Sequence, residues 1–289
     1  MPARLPVIVV HRDQPHRCVR TVRAFLAQDV PVRAVVVDNG SSPTARRHLA
    51  RELPGVEIVA LGSNAGFGPA ANVGLRRWLA RDTTEWAAIA PHDALPEPGC
   101  LARLLDAASA RPRAGLASAT FGDPTKPVVD HYLGGILVAA GRSDGWEAAG
   151  HPHGTLMLVR RGCLQEVGLF DERYFAYCEE ADLGVRATRA GWEVGVVWHA
   201  LVRNPSLSVS VPAVEYLKLR NTLLLVREHF GRYPASIRLT VALVDTAVGA
   251  VVRSRRQDPF PVSARLRAIA DFGRGRFGPP PASLVAPPA

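Results

Sequence analysis

Three carboxylates within four positions, Glu179, Glu180 and Asp182, follow an aromatic run that contains Tyr174, Phe175 and Tyr177. A carboxylate seated in a partly apolar pocket binds its proton more tightly, which brings it toward the pH at which a general base works. The three rings are of the kind that makes such a pocket. The same acids also suit the first turn of a helix, where they offset the positive end of its dipole. Spacing alone leaves both readings open.

The elements that would position these acids are legible upstream. Short apolar runs at 7–10, 34–37, 56–61 and 86–90 read as strands. They alternate with helical patterns: one through Val19, Val22, Phe25 and Leu26, others at 44–53 and 68–79, and a fourth through Leu101, Leu104, Leu105 and Ala108. Such alternation predicts an α/β fold, a parallel sheet covered on both faces. In these sheets the ligand crevice lies beyond the carboxyl ends of the strands. Polar residues gather there: His11-Arg12-Asp13, Asp38-Asn39-Gly40, Ser63-Asn64-Ala65-Gly66 and Pro91-His92-Asp93. Asp38 is placed to accept hydrogen bonds from a base or ribose, or simply to make a turn. Residues 64–68, just before a helix, can offer backbone N–H groups to a phosphate. No G-x-G-x-x-G follows the first strand, which argues against a dinucleotide cofactor. Asp93 is a hard oxygen ligand suited to a divalent cation.

Taken in order, these landmarks resemble the family 2 glycosyltransferases of the GT-A fold, particularly the bacterial rhamnosyltransferase-like branch. The resemblance rests on Val7-Ile8-Val9-Val10-His11, Val36-Val37-Asp38-Asn39-Gly40-Ser41 and Asn64-Ala65-Gly66-Phe67-Gly68 with Asn72 and Gly74. It continues through Gly154-Thr155-Leu156-Met157, the acidic segment, Gly191-Trp192 and Tyr216-Leu217-Lys218-Leu219-Arg220-Asn221, and covers roughly residues 5–230. It implies a Rossmann-like, mainly parallel sheet in a catalytic domain over 1–212. It also implies inverting transfer of a sugar from a nucleotide-diphosphate donor to an acceptor hydroxyl. The acceptor would be a cell-envelope glycan, a lipid-linked precursor or a small secondary metabolite. Glu180 falls at the general base. His11, Arg12, Asp38, Asn64, Gly66, Asn72, Asp93 and Arg203 form the implied donor set. His153, Gly154, Glu179 and Asp182 form the acceptor set. Asp93 corresponds to the carboxylate that binds Mg²⁺ or Mn²⁺ across the diphosphate.

Three departures from the family pattern stand out. Pro91-His92 precedes Asp93 where an acid or amide is usual, and Glu180 replaces the usual Asp, one methylene longer. Arg203-Asn204 stands near the place of a metal-binding histidine, while His199 comes several residues early. Leaving-group charge would then fall either to a metal at Asp93 or to Arg203. A non-enzymatic relative that keeps nucleotide-sugar binding is the alternative these departures raise.

The rest of the chain narrows the setting. A net charge of +9 favours polyanionic surroundings, but no DNA or RNA motif accompanies it, so nucleic acid is not an expected partner. Cys18, Cys100, Cys163 and Cys178 lie far apart without metal-ligand spacing, and no signal peptide is read at the N-terminus. Both observations suit the cytoplasm. His151-Pro152-His153 reads as a solvated loop rather than a metal pair. Residues 121–150 show few periodic signals. In relatives this region is longer and helps to select the acceptor, so its shortness here implies a small or easily reached one. Beyond 212 a helical extension is expected to 278, then a disordered tail from 279 to 289. Within the extension 235–254 is apolar but interrupted by Arg238 and Asp245, short of a membrane span. With the basic cluster at 253–256 it suits either an anionic membrane surface or packing on the catalytic domain. Sequence sets no oligomeric state.

Overall fold

The computed structural model describes residues 4–204, 211–252 and 260–285. The basic cluster 253–256 and the last part of the expected tail, from 286, lie outside the described residues.

The alternation becomes a nine-stranded sheet. Its first four strands are β1 (Leu5–His11), β2 (Val32–Asp38), β3 (Glu57–Ala60) and β4 (Trp86–Pro91), of which β1 and β2 are valine-rich. β5 (Leu95–Pro96) is a short edge strand, followed by β6 (Ala114–Thr120). After the hairpin β7 (Thr125–Asp130) and β8 (Gly134–Ala139) come β9 (Gly145–Ala148), β10 (Met157–Arg160) and β11 (Glu193–Arg203). The order is β3-β2-β1-β4-β10-β6-β11-β5, with β9 also on β11. β1 runs parallel to β2 and β4, and β6 parallel to β11, whereas β10 is antiparallel between β4 and β6. One edge of the sheet therefore collects the C-terminal ends of β1–β4, β6 and β11. The segment that leads into β10 reaches the same edge.

Helices cover both faces. α1 (Pro15–Leu26), α2 (Pro43–Glu52) and α4 (Cys100–Ser109) pack Val22, Phe25, Leu49 and Leu104 on one side. α3 (Phe67–Arg81), α5 (Arg161–Val167) and α6 (Glu179–Arg189) pack Leu75, Trp78, Leu164 and Leu183 on the other. α1 and α2 each open on a proline, whose missing N–H costs nothing in a first turn. Ser42 Oγ accepts the Ala45 N–H at the start of α2.

Three further helices follow: α7 (Val211–Phe230), α8 (Arg232–Val251) and α9 (Val262–Gly273). They share a cluster of Tyr216, Leu223, Ala242, Ala268 and Phe272, into which Phe175 of the acidic segment also packs. The expected boundary at 212 falls inside the first turn of α7. α8 meets the length and composition of a membrane span despite Arg238 and Asp245, with mean hydropathy 1.3 and 22% of its apolar window buried in the protein. The sequence expectation that these charges disqualify it is corrected to that extent. Part of the interruption is neutralised, because Arg265 pairs with Asp245 at 2.5 Å. At the start of the expected tail, Ala282–Leu284 forms a 3-10 turn and Leu284 packs partly buried on the helical cluster.

Residues 121–150 are more regular than their sequence. β7 and β8 pair antiparallel from Thr125 against Ala139 to Asp130 against Gly134. Pro127, Gly134 and Gly135 weaken the strand signal, and tertiary packing overrides it. Gly134 lies against Thr222 of α7, where a Cβ would stand 2.7 Å from the threonine methyl.

Candidate active site

The acids open α6 as expected, and the route into that helix is unusual. Phe175, Tyr177 and Cys178 all have positive φ (66°, 69° and 72°), a region that side chains with a Cβ seldom adopt. Asn221 of α7 holds the loop by donating its amide to the carbonyls of Tyr174, Ala176 and Tyr177, each at 2.8 Å. Arg220, fully buried, braces Asn221 Oδ1 at 2.9 Å and reaches the Tyr174 carbonyl and the Tyr216 hydroxyl. Sequence reading used Arg220-Asn221 as a family mark and missed its role as a clamp. The available signal is an Arg-Asn pair set between apolar residues, Leu219 before it and Leu223–Val226 after it.

Glu179 is 4% exposed and lies over the first turn of α3, 3.5 Å from where a Cβ of Gly68 would be. Glu180 lies against Gly154, whose Cβ would stand 2.8 Å from Glu180 Oε1. The two carboxyls share a hydrogen bond, and the Oε2 atom of each is buried without a partner. Burial first, then the neighbouring Glu180 charge, pushes Glu179 well above the ordinary carboxylate range. Burial also raises Glu180, while the hydrogen bond from Glu179 holds it back. The two carboxyls therefore titrate as one unit, and burial favours the state in which the pair keeps one proton between them. Tyr177 beside it is pushed up to about 12, chiefly by burial.

Asp182, grouped by sequence with the acceptor contacts, is engaged elsewhere. It accepts from Arg186 at 2.7 Å and from His229 Nε2 at 2.8 Å, which ties α6 to α7. Burial would raise its carboxyl, but His229 and Arg186 outweigh this and hold it below the usual value.

At the ends of β1 and β2, His11 and Asp38 are both 0% exposed and pair at 3.1 Å. His11 Nε2 accepts the Gln14 N–H at 3.1 Å, so its ring proton sits on Nδ1 and is donated to Asp38. With both ring nitrogens already hydrogen-bonded, His11 has no free atom for the direct donor contact expected from sequence and holds Asp38 in place. Burial would raise Asp38, yet hydrogen bonds from His11 and Ser41 hold it below the ordinary range, and its Oδ2 is left without a partner. Arg12 next to it is exposed.

The donor loop is locked from within. Asn39 donates to Asn64 Oδ1 and the Gly66 carbonyl, both at 3.0 Å, and accepts the Ala65 N–H at 2.8 Å. Asn64 Oδ1 also accepts the Gly66 N–H. Asn64 thus shapes this loop from inside, and Asn39, read only as part of a turn, is its partner. Gly66 has φ +99°, and a Cβ there would run into the Phe175 carbonyl. Donor loop and acidic loop meet at this glycine. Asn72, expected in the donor pocket, instead exchanges hydrogen bonds with the Phe170 backbone at 2.9 and 3.1 Å and with Glu172. It is 1% exposed and clips α3 to the acidic segment.

Past β4, Asp93 is 9% exposed, and burial raises its carboxyl, offset in part by the nearby Arg17 charge. His92 is pushed down to about 4 by burial and by His11, which leaves it neutral at pH 7. Arg203, expected to face the diphosphate, pairs with Glu97 at 2.6 Å while remaining largely exposed. Arg17, whose charge reaches both His92 and Asp93, was not singled out from sequence. Among the described residues no three His, Cys, Asp or Glu side chains converge as a metal site. The residues present fit a divalent ion in one way. Burial disfavours the charge on Asp93, a cation would restore it, and one carboxylate plus donor phosphates and waters is a coordination Mg²⁺ accepts.

His151 and His153 are not the solvated pair that sequence favoured. Both are half-buried, and burial lowers each to about 4. His153 meets Phe121 at right angles with ring centroids 3.8 Å apart.

This geometry is that of the sugar-transferring GT-A enzymes, and comparison of the chain with known proteins agrees. Residues 7–168 match the model of glycosyl transferase family 2, and the chain belongs to that family. It is a glycosyltransferase of the rhamnosyltransferase-like kind. It is 32% identical over 265 residues, 80% of this chain and 79% of the other, to the N-acetylglucosaminyl-diphospho-decaprenol L-rhamnosyltransferase of two strains of Mycobacterium tuberculosis. Among solved structures it resembles the mannosyltransferase PcManGT of Pyrobaculum calidifontis, in complex with GDP-Man and Mn²⁺. That likeness has TM-score 0.60 at 18% identity over 94% of this chain and 88% of that one. It also resembles S. aureus TarS 1–349, with TM-score 0.50 at 14% identity over 95% and 83%. These two likenesses show the fold.

Proposed function

We propose that the protein transfers a sugar, with inversion, from a nucleotide-diphosphate donor to a hydroxyl of a sugar carried on a lipid diphosphate. The identity to a rhamnosyltransferase of the decaprenol-linked kind supports L-rhamnose, or a closely similar deoxyhexose, and a polyprenol-linked acceptor. The observation that carries the mechanism is the Glu179–Glu180 pair at the ligand edge of the sheet, each carboxyl with an unpartnered buried oxygen.

Glu180 accepts the proton of the acceptor hydroxyl as that oxygen bonds to the anomeric carbon of the donor. The bond to the diphosphate breaks on the opposite face, so the configuration inverts and one carboxylate suffices. Glu179 keeps its own proton and donates a hydrogen bond to Glu180. The left-handed loop held by Asn221 aims the pair. Arg12 and the free Oδ2 of Asp38 are the donor contacts, and His11, Asn39 and Asn64 act behind them to fix the loop. Asp93 would hold Mg²⁺ or Mn²⁺ together with the diphosphate, and such an ion neutralises the charge of the leaving group. Arg203 on the rim joins the donor only by exchanging Glu97 for a phosphate. The four free thiols and the apolar α8 agree with work at the cytoplasmic face of a membrane.

Glu180→Gln is expected to keep donor affinity by calorimetry and lose about two to four orders of magnitude in turnover. The product's anomeric configuration, read by NMR, should be opposite to the donor's. Retained configuration, or near-normal turnover in Glu180→Gln, would reject the reading.

A further inference from the structure

We infer that Phe121 and His153 seat the acceptor's sugar ring, with Phe121 as its apolar platform. The inference rests on the reading of Glu180 as base and adds the surface that presents a hydroxyl to it.

β6 ends at Thr120, so Phe121 is the first residue past the ligand edge of the sheet. β10 enters the sheet antiparallel at Met157, which brings His153 and Gly154 to the same edge. Phe121 is 38% exposed and belongs to none of the apolar clusters of the fold. Its contact is the edge-to-face meeting with His153 at 3.8 Å. One residue further along the chain, Gly154 lies against Glu180 Oε1, and no larger residue fits there without moving the base. Platform, imidazole and base thus follow one another along a single strip of surface.

The polar side of the strip is unfinished. His153 Nδ1 is buried with no hydrogen-bond partner, as are Glu179 Oε2 and Glu180 Oε2. Such orphans are rare and call for an explanation. A pyranose supplies both halves of one. Its axial C–H face lies against the electron-rich face of an aromatic ring, and its hydroxyls bond the imidazole and the carboxylate. At neutral pH His153 carries no charge, because burial lowers it to about 4. It therefore orients a hydroxyl without lowering the proton affinity of the base.

The test is direct binding of an N-acetylglucosaminyl-diphosphate carried on a short prenyl chain, titrated by calorimetry with nucleoside diphosphate present. Phe121→Ala should weaken the acceptor about tenfold or more and leave nucleotide affinity unchanged. Phe121→Trp should bind like the parent, because it restores a ring. Acceptor affinity within twofold of the parent in Phe121→Ala, or an equal fall in nucleotide affinity, overturns the seat. Weakened acceptor binding beside full turnover in Glu180→Gln would retire the base and leave the seat standing.

Discussion

The ends of β1–β3 and the start of α6 treat buried charge in opposite ways. At the ends of β1–β3 most polar groups have partners: His11 gives its proton to Asp38, and Asn39 bonds Asn64, Ala65 and Gly66, while Asp38 Oδ2 is left open. Asp38 accordingly stays ionised below the ordinary range. At the start of α6 the two glutamates have no ion-pair partner among the described residues, burial raises their proton affinity, and an oxygen of each is left open. Asp182 sharpens the contrast within one helical turn. It accepts hydrogen bonds from His229 and Arg186, is held below the ordinary range and ties α6 to α7. Carboxylates of one short segment are thus divided by their neighbours into structure and chemistry.

Breaking the clamp on the base side is expected to have the largest effect on stability. Asn221→Ala removes an amide whose two N–H groups are shared among three loop carbonyls and whose oxygen braces Arg220, so a loss of about 2–3 kcal/mol follows at roughly 1 kcal/mol per hydrogen bond. Urea midpoints measure it, and on the proposed mechanism turnover should fall more than donor affinity, because the freed loop would carry the base.

Asp182→Asn comes next, with a loss near pH 7 of about 2 kcal/mol for hydrogen bonds to a charged group. Its sign with pH is set by the depressed folded-state value of Asp182. The contribution is complete above the unfolded value of about 4 and is lost as pH falls through the lower folded value. The gap between parent and variant should therefore close below about pH 4. A gap that stays constant with pH would mean Asp182 stabilises without its charge.

Much of this architecture was legible in the residues. The valine-rich runs and amphipathic helices gave the sheet and both its layers, because burial on two faces leaves a continuous apolar signature. The neighbourhood of the site was legible too, since polar residues at strand ends have few other reasons to cluster. Roles were harder. Asn72 and Asn64 were read as donor contacts because an amide's type does not say whether it will meet a ligand or a backbone. Partners at Phe170 and Asn39 are contacts of the folded chain. The left-handed run at Phe175, Tyr177 and Cys178 had no signal, as none of these residues favours that region and Asn221, over forty positions away, enforces it. The hairpin at 125–139 was masked by its own proline and glycines.

The smallest expected effect lies on the donor side. Asp93→Asn should lower the enhancement of donor binding by Mg²⁺ or Mn²⁺ about fivefold, since donor phosphates supply the other ligands. Calorimetry with and without chelator reads it. Unchanged enhancement would move leaving-group neutralisation to Arg17 or Arg203.

The division of labour within the glutamate pair is the centre of this account, and Glu179→Gln tests it most directly. The amide donates the same hydrogen bond to Glu180 that a protonated Glu179 does, so turnover at pH 7 should stay within about tenfold of the parent, far above Glu180→Gln. Turnover in Glu179→Gln as low as in Glu180→Gln, with donor affinity intact, would contradict the assignment and make Glu179 the base.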